Sequence, residues 1–306
     1  MQKTLGKPQS DSDVVNSQPK VLLIGYGWVG QYMGKYFTDA HYVEGDGIIK
    51  EVSSGSIIYH PSNNTFLSIS SKYDLAIIGV PTPMNKETGQ CDTSIVEEVV
   101  RKYRNIVKIF LVKSTVEIGT CERLEEKYDT NVCMSPEYVG ETLGHPLLEA
   151  RTDAFQIIGG NEVAREKVAE YFMRVLHADA QILLVTSKEA EIIKYSENYW
   201  IALRVSYWQD VFQIGSVFNA SFQALRNGLT LDPRLNRTHS NIFTDNLGWG
   251  GKCLPKDMNA LVFKMREMGY PLLLLEFLIK FNAEVRKNYN NNNQLLPDKG
   301  FNEETI

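Results

Sequence analysis

The sequence predicts an α/β protein with an N-terminal doubly wound parallel sheet and a helical C-terminal part. Up to residue 185, short apolar runs recur, and each is followed by a turn or a helix-like stretch. This alternation is typical of a parallel sheet with crossover helices. From Thr186 onward, apolar residues recur at the spacing of long helices. The 306 residues, 43% of them apolar, are enough for two domains.

Charge and cysteine content narrow the possible functions. The net charge of -5 gives no sign of a nucleic-acid-binding surface. The four cysteines include no CxxC pair and no zinc-ligand spacing, so we expect no metal site and no disulfide framework, and we predict a reducing, cytoplasmic location. No apolar run is long enough to span a membrane, and residues 1–19 resemble no signal peptide. We expect this leader to be disordered.

The first strand leads into a glycine-rich turn. The segment VLLIGYGWVG, Val21–Gly30, places four apolar residues before a GxGxxG pattern, and a helix is predicted from Trp28 to about Phe37. A glycine turn between a strand and a helix is typical of a pyrophosphate-binding site. The predicted sheet is therefore Rossmann-like, and the glycines assigned to cofactor binding are Gly25, Gly27 and Gly30.

An acidic residue ends the predicted second strand, residues 41–46. Asp46 stands where a carboxylate would bind the hydroxyls of the adenosine ribose, which favours NAD over NADP. Glu44 remains an alternative, as does a plain loop. Further strands are predicted at Leu75–Val80, Ile109–Val112, Asn131–Met134, Phe155–Ile158 and Ile182–Val185.

Polar residues follow several of these strands. Ligands of doubly wound sheets bind outside the carboxyl ends of the strands, where Thr82, Thr115 and Glu137 stand. Taken singly, Thr82 or Thr115 fits an ordinary strand-terminating hydroxyl better than a binding residue.

A long connecting helix is predicted to begin at Thr186, because Glu189 three residues later completes a capping box. Lys194 and Asn198 are four residues apart on one face and can offer a cation and an amide to one ligand atom, although solvated pairs of this kind are common. An apolar stripe too long for one domain predicts a subunit contact, hence a homodimer. Its members are Ile192, Ile193, Tyr199, Trp200, Leu203, Tyr207, Val211 and Ile214.

The segment GWGGKCLPKD, residues 248–257, contains a candidate nucleophile, Cys253. With Pro255 at the first helical position, the cysteine precedes a helix N-terminus, where the thiolate is favoured, and Lys252 and Lys256 flank it. Asp257 lies one helical turn further and can act as a general base or position a water molecule. The alternative is that Cys253 is a small packed apolar residue.

Together these motifs resemble the UDP-glucose/GDP-mannose dehydrogenase family, in particular its bacterial UDP-glucose 6-dehydrogenases. The resemblance runs from about Lys20 to Lys287 and keeps the family's motif order. The motifs are GYGWVG, GVPTPMNKETGQCDTSIVE, VKSTVEIGT, SPEYVGE, SKEAEIIKYSENYWIALRVSYWQD, LDPR and GWGGKCLPKD. It implies a Rossmann-like NAD-binding domain over residues 20–186 and an all-helical central dimerisation domain over 187–288. The family's C-terminal UDP-binding domain is expected to be absent, and residues 289–306 to be disordered.

The resemblance also implies roles for individual residues. The catalytic set is Cys253, Lys194, Asn198, Asp257, Glu141 and Thr115. Besides the glycines and Asp46, the cofactor-contacting positions are Val29, Thr82, Thr115, Glu141 and Lys256. The substrate-binding positions are Glu137, Glu141, Lys194, Asn198, Gly250 and Arg234, the last presented to the neighbouring subunit's substrate.

The implied activity is the NAD-dependent, four-electron oxidation of UDP-glucose to UDP-glucuronate. Cys253 would add to the aldehyde formed first, and Lys194 and Asn198 would stabilise the oxyanion of the thiohemiacetal. Water held by Asp257, Thr115 or Glu141 would then hydrolyse the thioester. The alternatives are the same mechanism on GDP-mannose or a UDP-N-acetylhexosamine, a non-catalytic nucleotide-binding protein and, last, a two-electron hydroxyacid dehydrogenase.

Overall fold

The computed structural model describes residues 18–59, 73–138, 155–251 and 253–292. These residues form two compact units. The first comprises the described residues up to Asn85 and those from Cys91 to Lys194, and the second comprises Lys86–Gln90 and the described residues from Tyr195 onward. The predicted leader and tail lie almost wholly outside the described residues. Residues 289–292, which the prediction placed in the tail, are helical.

The first unit is built on a nine-stranded sheet with the order β4-β3-β2-β1-β5-β6-β7-β8-β9. The strands are β1 Val21–Ile24, β2 His41–Val43, β3 Ile49–Glu51, β4 Ile57–Tyr59, β5 Tyr73–Ile78, β6 Val107–Val112, β7 Asn131–Met134, β8 Phe155–Gly159 and β9 Gln181–Val185. The centre of the sheet is parallel, as predicted. The β2–β3, β3–β4 and β7–β8 pairs are antiparallel, so the sheet is mixed rather than purely parallel.

Helices cover both faces of this sheet. They are α1 Trp28–Gly34, α2 Ser94–Tyr103, α3 Thr120–Tyr128 and α4 Glu162–Val175. Alternate residues of β1 enter two separate cores: Leu22 and Ile24 pack on the side of α2 and α3, and Val21 and Leu23 on the side of α1 and α4. Burial on both faces explains why these strands are continuous apolar runs in the sequence.

The strand register aligns the carboxyl ends that matter for binding. Ile24 pairs with Ile78, Ile78 pairs with Val112, and Val112 pairs with Met134. The residues that follow these four strands therefore leave the sheet at one edge, where ligands of open α/β sheets bind.

The long helix α5, Ser187–Val217, begins at the predicted capping box. The backbone N–H of Thr186 donates to Glu189 Oε2 over 2.7 Å, and the N–H of Glu189 donates to Thr186 Oγ1 over 3.2 Å. The capping-box prediction is thus confirmed. The helix continues without interruption through the boundary between Lys194 and Tyr195.

A buried carboxylate fixes the first turns of α5 within the first unit. Glu191 accepts hydrogen bonds from the backbone N–H groups of Gly119, over 2.5 Å, and Cys121, over 2.9 Å. These groups belong to the start of α3. Burial raises the pKa of Glu191, although the two backbone hydrogen bonds oppose the shift.

The second unit is helical. Besides the greater part of α5 it contains α6 Phe222–Leu229, α7 Leu254–Glu267 and α8 Leu273–Asn292. The irregular segment between α6 and α7 begins after Leu229. No helix in the described part of the chain is both long and apolar enough to cross a membrane.

Candidate functional site

The glycine turn after β1 has the backbone geometry that a bound pyrophosphate requires. Gly25 has φ +84°, and a Cβ there would lie 2.5 Å from the carbonyl oxygen of Gly79. A Cβ on Gly30 would overlap the carbonyl oxygen of Gly25. Gly27, the N-cap of α1, has no side-chain cap, and a Cβ there would meet no atom within 4 Å. The first turn of α1 thus faces open space, and the residues present fit a dinucleotide phosphate.

The structure brings Thr82 and Thr115 together at adjacent strand ends. The Thr82 hydroxyl donates a 2.7 Å hydrogen bond to the carbonyl oxygen of Thr115. Val29, in the first turn of α1, packs against Gly79, where a Cβ would lie 3.3 Å from Val29 Cβ. Three of the predicted cofactor positions therefore lie along the same edge of the sheet.

Asp46 does not stand at the end of the second strand, and that expectation was wrong. Strand β2 ends at Val43, and Asp46 lies in the turn to β3, where Gly47 has φ +73°. Its Oδ1 accepts a 2.9 Å hydrogen bond from the N–H of Ile48. The chain turns back here to form an antiparallel pair, which ends β2 early. The exposed residue that directly follows β2 is Glu44.

A buried lysine supports the segment that contains Glu137. Lys113, the residue after β6, is buried; its Nζ donates to Gln156 Oε1 over 3.1 Å and lies 3.8 Å from Glu137 Oε2. Burial lowers the pKa of Lys113, and the nearby Glu137 carboxylate opposes the shift. Lys194 Nζ donates to the Glu137 carbonyl oxygen over 2.7 Å. Glu137 and Lys194 are thus in contact, while the role of Lys113 was missed in the sequence. The available signal was a charged residue directly after an apolar strand.

Three proposed catalytic or cofactor residues form a cluster in the second unit. The side chain of Asp257 is 1% exposed. Asn198 Nδ2 donates to Asp257 Oδ2 over 2.6 Å, and Lys256 Nζ donates to Asp257 Oδ1 over 2.5 Å. Both carboxylate oxygens thus have a charge-assisted hydrogen bond, which a buried carboxylate requires.

Cys253 is the N-cap of α7 and is exposed. Its carbonyl oxygen accepts a 2.9 Å hydrogen bond from the N–H of Asp257, so the helix begins directly after the thiol. The expectation that Pro255 occupies the first helical position was wrong by one residue, because Leu254 is first. Proline is tolerated anywhere in the first turn, where its missing N–H is not needed. Lys252 lies outside the described residues.

The other cysteines differ from Cys253 in their surroundings. All four lie within the described ranges, and none forms a disulfide. Cys91, Cys121 and Cys133 are buried. Burial raises the pKa of Cys121, and it raises that of Cys133 to about 12. Neither thiol is a candidate nucleophile at neutral pH, because the thiolate is the reactive form.

The glycine loop before Cys253 is held by helices distant in sequence. The side-chain amide of Asn282, on α8, bonds to both the N–H and the C=O of Trp249. The indole N–H of Trp249 donates to Ser206 Oγ on α5. Gly250 lies against α8, where a Cβ would be 2.8 Å from Arg286 Nη1. Sequence reasoning missed these supports, because Asn282 stands in a helical pattern with no motif around it and the motif that contains Ser206 indicated no role for it.

The remaining predicted positions are Arg234 and Glu141. The side chain of Arg234 is 87% exposed and pairs with Asp232, with 2.6 Å between Arg234 Nη2 and Asp232 Oδ2. Glu141 lies outside the described residues. Among the residues that the structure describes, no group of three or more His, Cys, Asp or Glu side chains is placed to hold a metal ion.

Family models match both units. The NAD binding domain of the UDP-glucose/GDP-mannose dehydrogenase family matches residues 49–177, and the central domain of the same family matches residues 188–284. UDP-glucose 6-dehydrogenase TuaD of Bacillus subtilis is 26% identical over 87% of this chain and 63% of its own length. UDP-glucose 6-dehydrogenase of Campylobacter jejuni is 29% identical over 71% of this chain and 54% of its own length. The chain thus spans 54% to 63% of the length of these relatives.

Solved structures share the fold. A UDP-glucose dehydrogenase from Pyrobaculum islandicum matches with a TM-score of 0.72 and 20% identity, over 90% of this chain and 70% of that one. A UDP-D-ManNAc dehydrogenase from Pyrococcus horikoshii matches with a TM-score of 0.67 and 21% identity, over 87% and 68%. These matches agree with the mixed sheet and the helical unit that follows it. The chain belongs to the UDP-glucose/GDP-mannose dehydrogenase family, and it contains the family's NAD binding domain and central domain.

Proposed function

We propose that this chain oxidises UDP-glucose to UDP-glucuronate with two NAD, through a covalent intermediate on Cys253. The main support for this proposal is the position of the Cys253 thiol. Cys253 is the exposed thiol among the four cysteines, and it stands at the start of a helix whose first turn contains the buried Asp257. An oxidation that passes through an aldehyde to an acid requires a nucleophile that holds the intermediate.

The described residues supply a place for the cofactor. Gly25, Gly27 and Gly30 would hold the pyrophosphate against α1, and Asp46 or Glu44 would bind the adenosine ribose. Val29, Thr82, Thr115 and Lys256 complete the proposed contacts, with Glu141 assigned from the family resemblance. Bound there, NAD would supply the hydride acceptor for the reacting carbon of the sugar in each of the two oxidations.

The proposed steps on the protein begin at the sugar's primary alcohol. The alcohol loses its proton to a base or water as it is oxidised to the aldehyde. The Cys253 sulfur then forms a bond to the aldehyde carbon, and the carbonyl oxygen becomes an oxyanion. Lys194 contributes a cation to this oxyanion and Asn198 an amide N–H. An amide nitrogen carries two hydrogens, and one of those on Asn198 is already donated to Asp257.

The second oxidation converts this adduct to a thioester, and water releases the acid. Water attacks the thioester carbon, the carbon–sulfur bond breaks, and the sulfur leaves as the thiolate. Thr115, Glu141 and Asp257 are proposed to hold the water and accept its proton. Asp257 suits this role because its two partners fix the direction of its carboxylate.

The nucleotide of the substrate is assigned from sequence motifs. The LDPR and LPKD segments favour UDP-glucose, with GDP-mannose and a UDP-N-acetylhexosamine as the alternatives. The Pyrococcus horikoshii relative is described as acting on UDP-D-ManNAc, so the fold itself does not choose the sugar. Arg234, Glu137 and Gly250 are the proposed substrate contacts. The reactive thiol fits a reducing compartment such as the cytoplasm.

We also propose a homodimer formed through α5. Large apolar side chains of this helix are exposed in the single chain, with Trp200 57% and Ile214 55% exposed. Exposed apolar surface of this extent on one helix is typical of a protein contact. Sedimentation equilibrium on the wild type should give the mass of two chains, and Trp200→Glu should give the mass of one. A monomeric wild type would contradict this proposal.

The decisive experiment measures NADH released per sugar. The protein is incubated with NAD and, separately, limiting UDP-glucose, GDP-mannose or UDP-N-acetylglucosamine, and absorbance at about 340 nm is followed to completion. We expect two NADH per UDP-glucose, loss of turnover in Cys253→Ala, and turnover near the wild-type level in Cys133→Ala, which removes a buried thiol. One NADH per sugar, or an active Cys253→Ala variant, would overturn the mechanism. Tight NAD binding without oxidation of any sugar nucleotide would support a non-catalytic protein.

A further inference from the structure

We propose that Asn282 is a positioning residue for Cys253, acting through the main chain of Trp249. It lies on α8, 29 positions after the cysteine in the sequence. The inference deepens the proposed function and rests on it for the kinetic readout, whereas the chemical reactivity of the thiol tests it independently.

The contact between Asn282 and Trp249 is reciprocal and buried. Asn282 is 6% exposed. Its Oδ1 accepts from the N–H of Trp249 over 2.7 Å, and its Nδ2 donates to the carbonyl oxygen of Trp249 over 2.8 Å. A single side chain thus satisfies both main-chain groups of one residue. Because Trp249 is itself buried, water is a poor replacement for either bond.

The neighbours of Trp249 restrict the loop to this arrangement. A Cβ on Gly248 would lie 2.5 Å from Asn282 Oδ1, and Gly248 has φ +76°. The backbone N–H of Gly248 donates to Gln209 Oε1 over 3.3 Å, and the Trp249 indole N–H donates to Ser206 Oγ over 3.1 Å. Gln209 and Ser206 are both buried on α5. Trp249 is therefore tied to α5 by its side chain and to α8 by its main chain.

The chain is fixed on the other side of Cys253 as well. The Cys253 carbonyl oxygen accepts from the N–H of Asp257, and Asp257 accepts from Asn198 on α5. Between the two anchors lie Gly250 and Gly251, whose backbones would otherwise sample many conformations. With both anchors in place, the main chain that enters α7 is fixed, and we expect the thiol of Cys253 to be held with it.

The test compares Asn282→Ala with a matched variant of the same helix, Leu278→Ala. Leu278 is buried on α8, and its side chain has no polar atom to offer the loop. Each protein is alkylated with iodoacetamide at one pH and followed by intact mass, with Cys253→Ala as the blank, because the other three cysteines are buried. We expect Asn282→Ala to slow alkylation about three- to tenfold, since the thiolate loses its fixed place at the helix N-terminus. Leu278→Ala should lower Tm but alkylate at the wild-type rate.

Kinetics provide the second readout. Asn282→Ala should lower kcat by about tenfold or more and change KM by less than about threefold, because misplacing a reacting atom costs turnover rather than binding. If Asn282→Ala lowers only Tm, or if Leu278→Ala slows alkylation equally, the proposal is wrong. Should Asn282→Ala not fold, Ser206→Ala decides by the same measurements, since it removes the acceptor of the Trp249 indole N–H and, besides that, a hydrogen bond that the hydroxyl donates within α5 to the carbonyl oxygen of Ala202. A wild type that is alkylated but oxidises no sugar nucleotide would refute the proposed function and leave the positioning role standing.

Discussion

Replacing Asn198 with alanine removes an amide that donates to Asp257, and we expect it to show that these two buried side chains of the second unit are strongly coupled. Asp257 is 1% exposed, and one of its two hydrogen bonds, 2.6 Å long, comes from Asn198. A hydrogen bond to a charged group is worth about 1.5–3 kcal/mol, and a buried carboxylate that loses its donor keeps the cost of its burial. Asn198→Ala should therefore lower the free energy of unfolding by about 2–3 kcal/mol. Replacing the carboxylate as well, in Asp257→Asn, removes the charge that needed the donor.

A double-mutant cycle measures this coupling. Wild type, Asn198→Ala, Asp257→Asn and the double variant are unfolded in urea and followed by tryptophan fluorescence, since Trp200, Trp208 and Trp249 all lie in the second unit. We expect an interaction energy of about 1.5–3 kcal/mol. Ser196→Ala, at an exposed site of the same helix, should change stability by less than about 0.5 kcal/mol. An interaction energy below about 0.5 kcal/mol would show that the short contact carries no net energy, and the reasoning would fail.

Three further predictions concern the first unit. Gly25→Ala should destabilise it by about 3 kcal/mol and abolish NAD binding in calorimetry, because the new Cβ meets Gly79 at an unfavourable φ. Hydrogen bonds from Lys127 and Arg123 lower the pKa of Glu97 to about 2. The ionised Glu97 side chain therefore stabilises the fold by on the order of 1 kcal/mol after solvent screening, and this stabilisation is present above about pH 4.5 and lost toward about pH 2. In Glu97→Gln, the urea midpoint should consequently fall less steeply as the pH is lowered through this range. The pKa of Glu191 is raised, so its effect on stability depends on pH in the opposite direction. The contribution of Glu191 to the free energy of unfolding is largest in acid and falls as the pH rises through the raised pKa. The stability advantage of wild type over Glu191→Gln should therefore shrink from about pH 4 to about pH 8.

The fold could be predicted from the sequence wherever burial on both sides of the sheet left an apolar run. Strands β1 and β7 have the predicted bounds, and β5, β6, β8 and β9 differ by one or two residues at their ends. The turn to β3 could not be predicted in the same way. Gly45 and Gly47 end β2 early, and no apolar period marks the antiparallel strands that follow. Asp46 was consequently placed on a strand that stops before it.

The candidate site was predictable where local chemistry determines it. Cys253 before a helix, and Asn198 with Asp257 in two separate motifs, were recognisable from residue types and spacing. Their supports were not, because a buried side chain that bonds to a distant main chain leaves no local pattern. Asn282 is such a case, because its partner Trp249 is more than 20 positions away. Lys113 did leave a signal, a charged residue directly after an apolar strand, but its partner Pro136 is also more than 20 positions away.

The anchoring of Trp249 also bears on when the thiol acquires its environment during folding. The loop is closed by contacts to Ser206, 43 positions earlier, and to Asn282, 33 positions later. Contacts of such sequence separation form slowly and only after the chain that supplies them is present. During synthesis, Cys253 is therefore made before Asn282, and its thiol, which stays exposed in the folded chain, takes its place at the start of α7 only after α8 has docked.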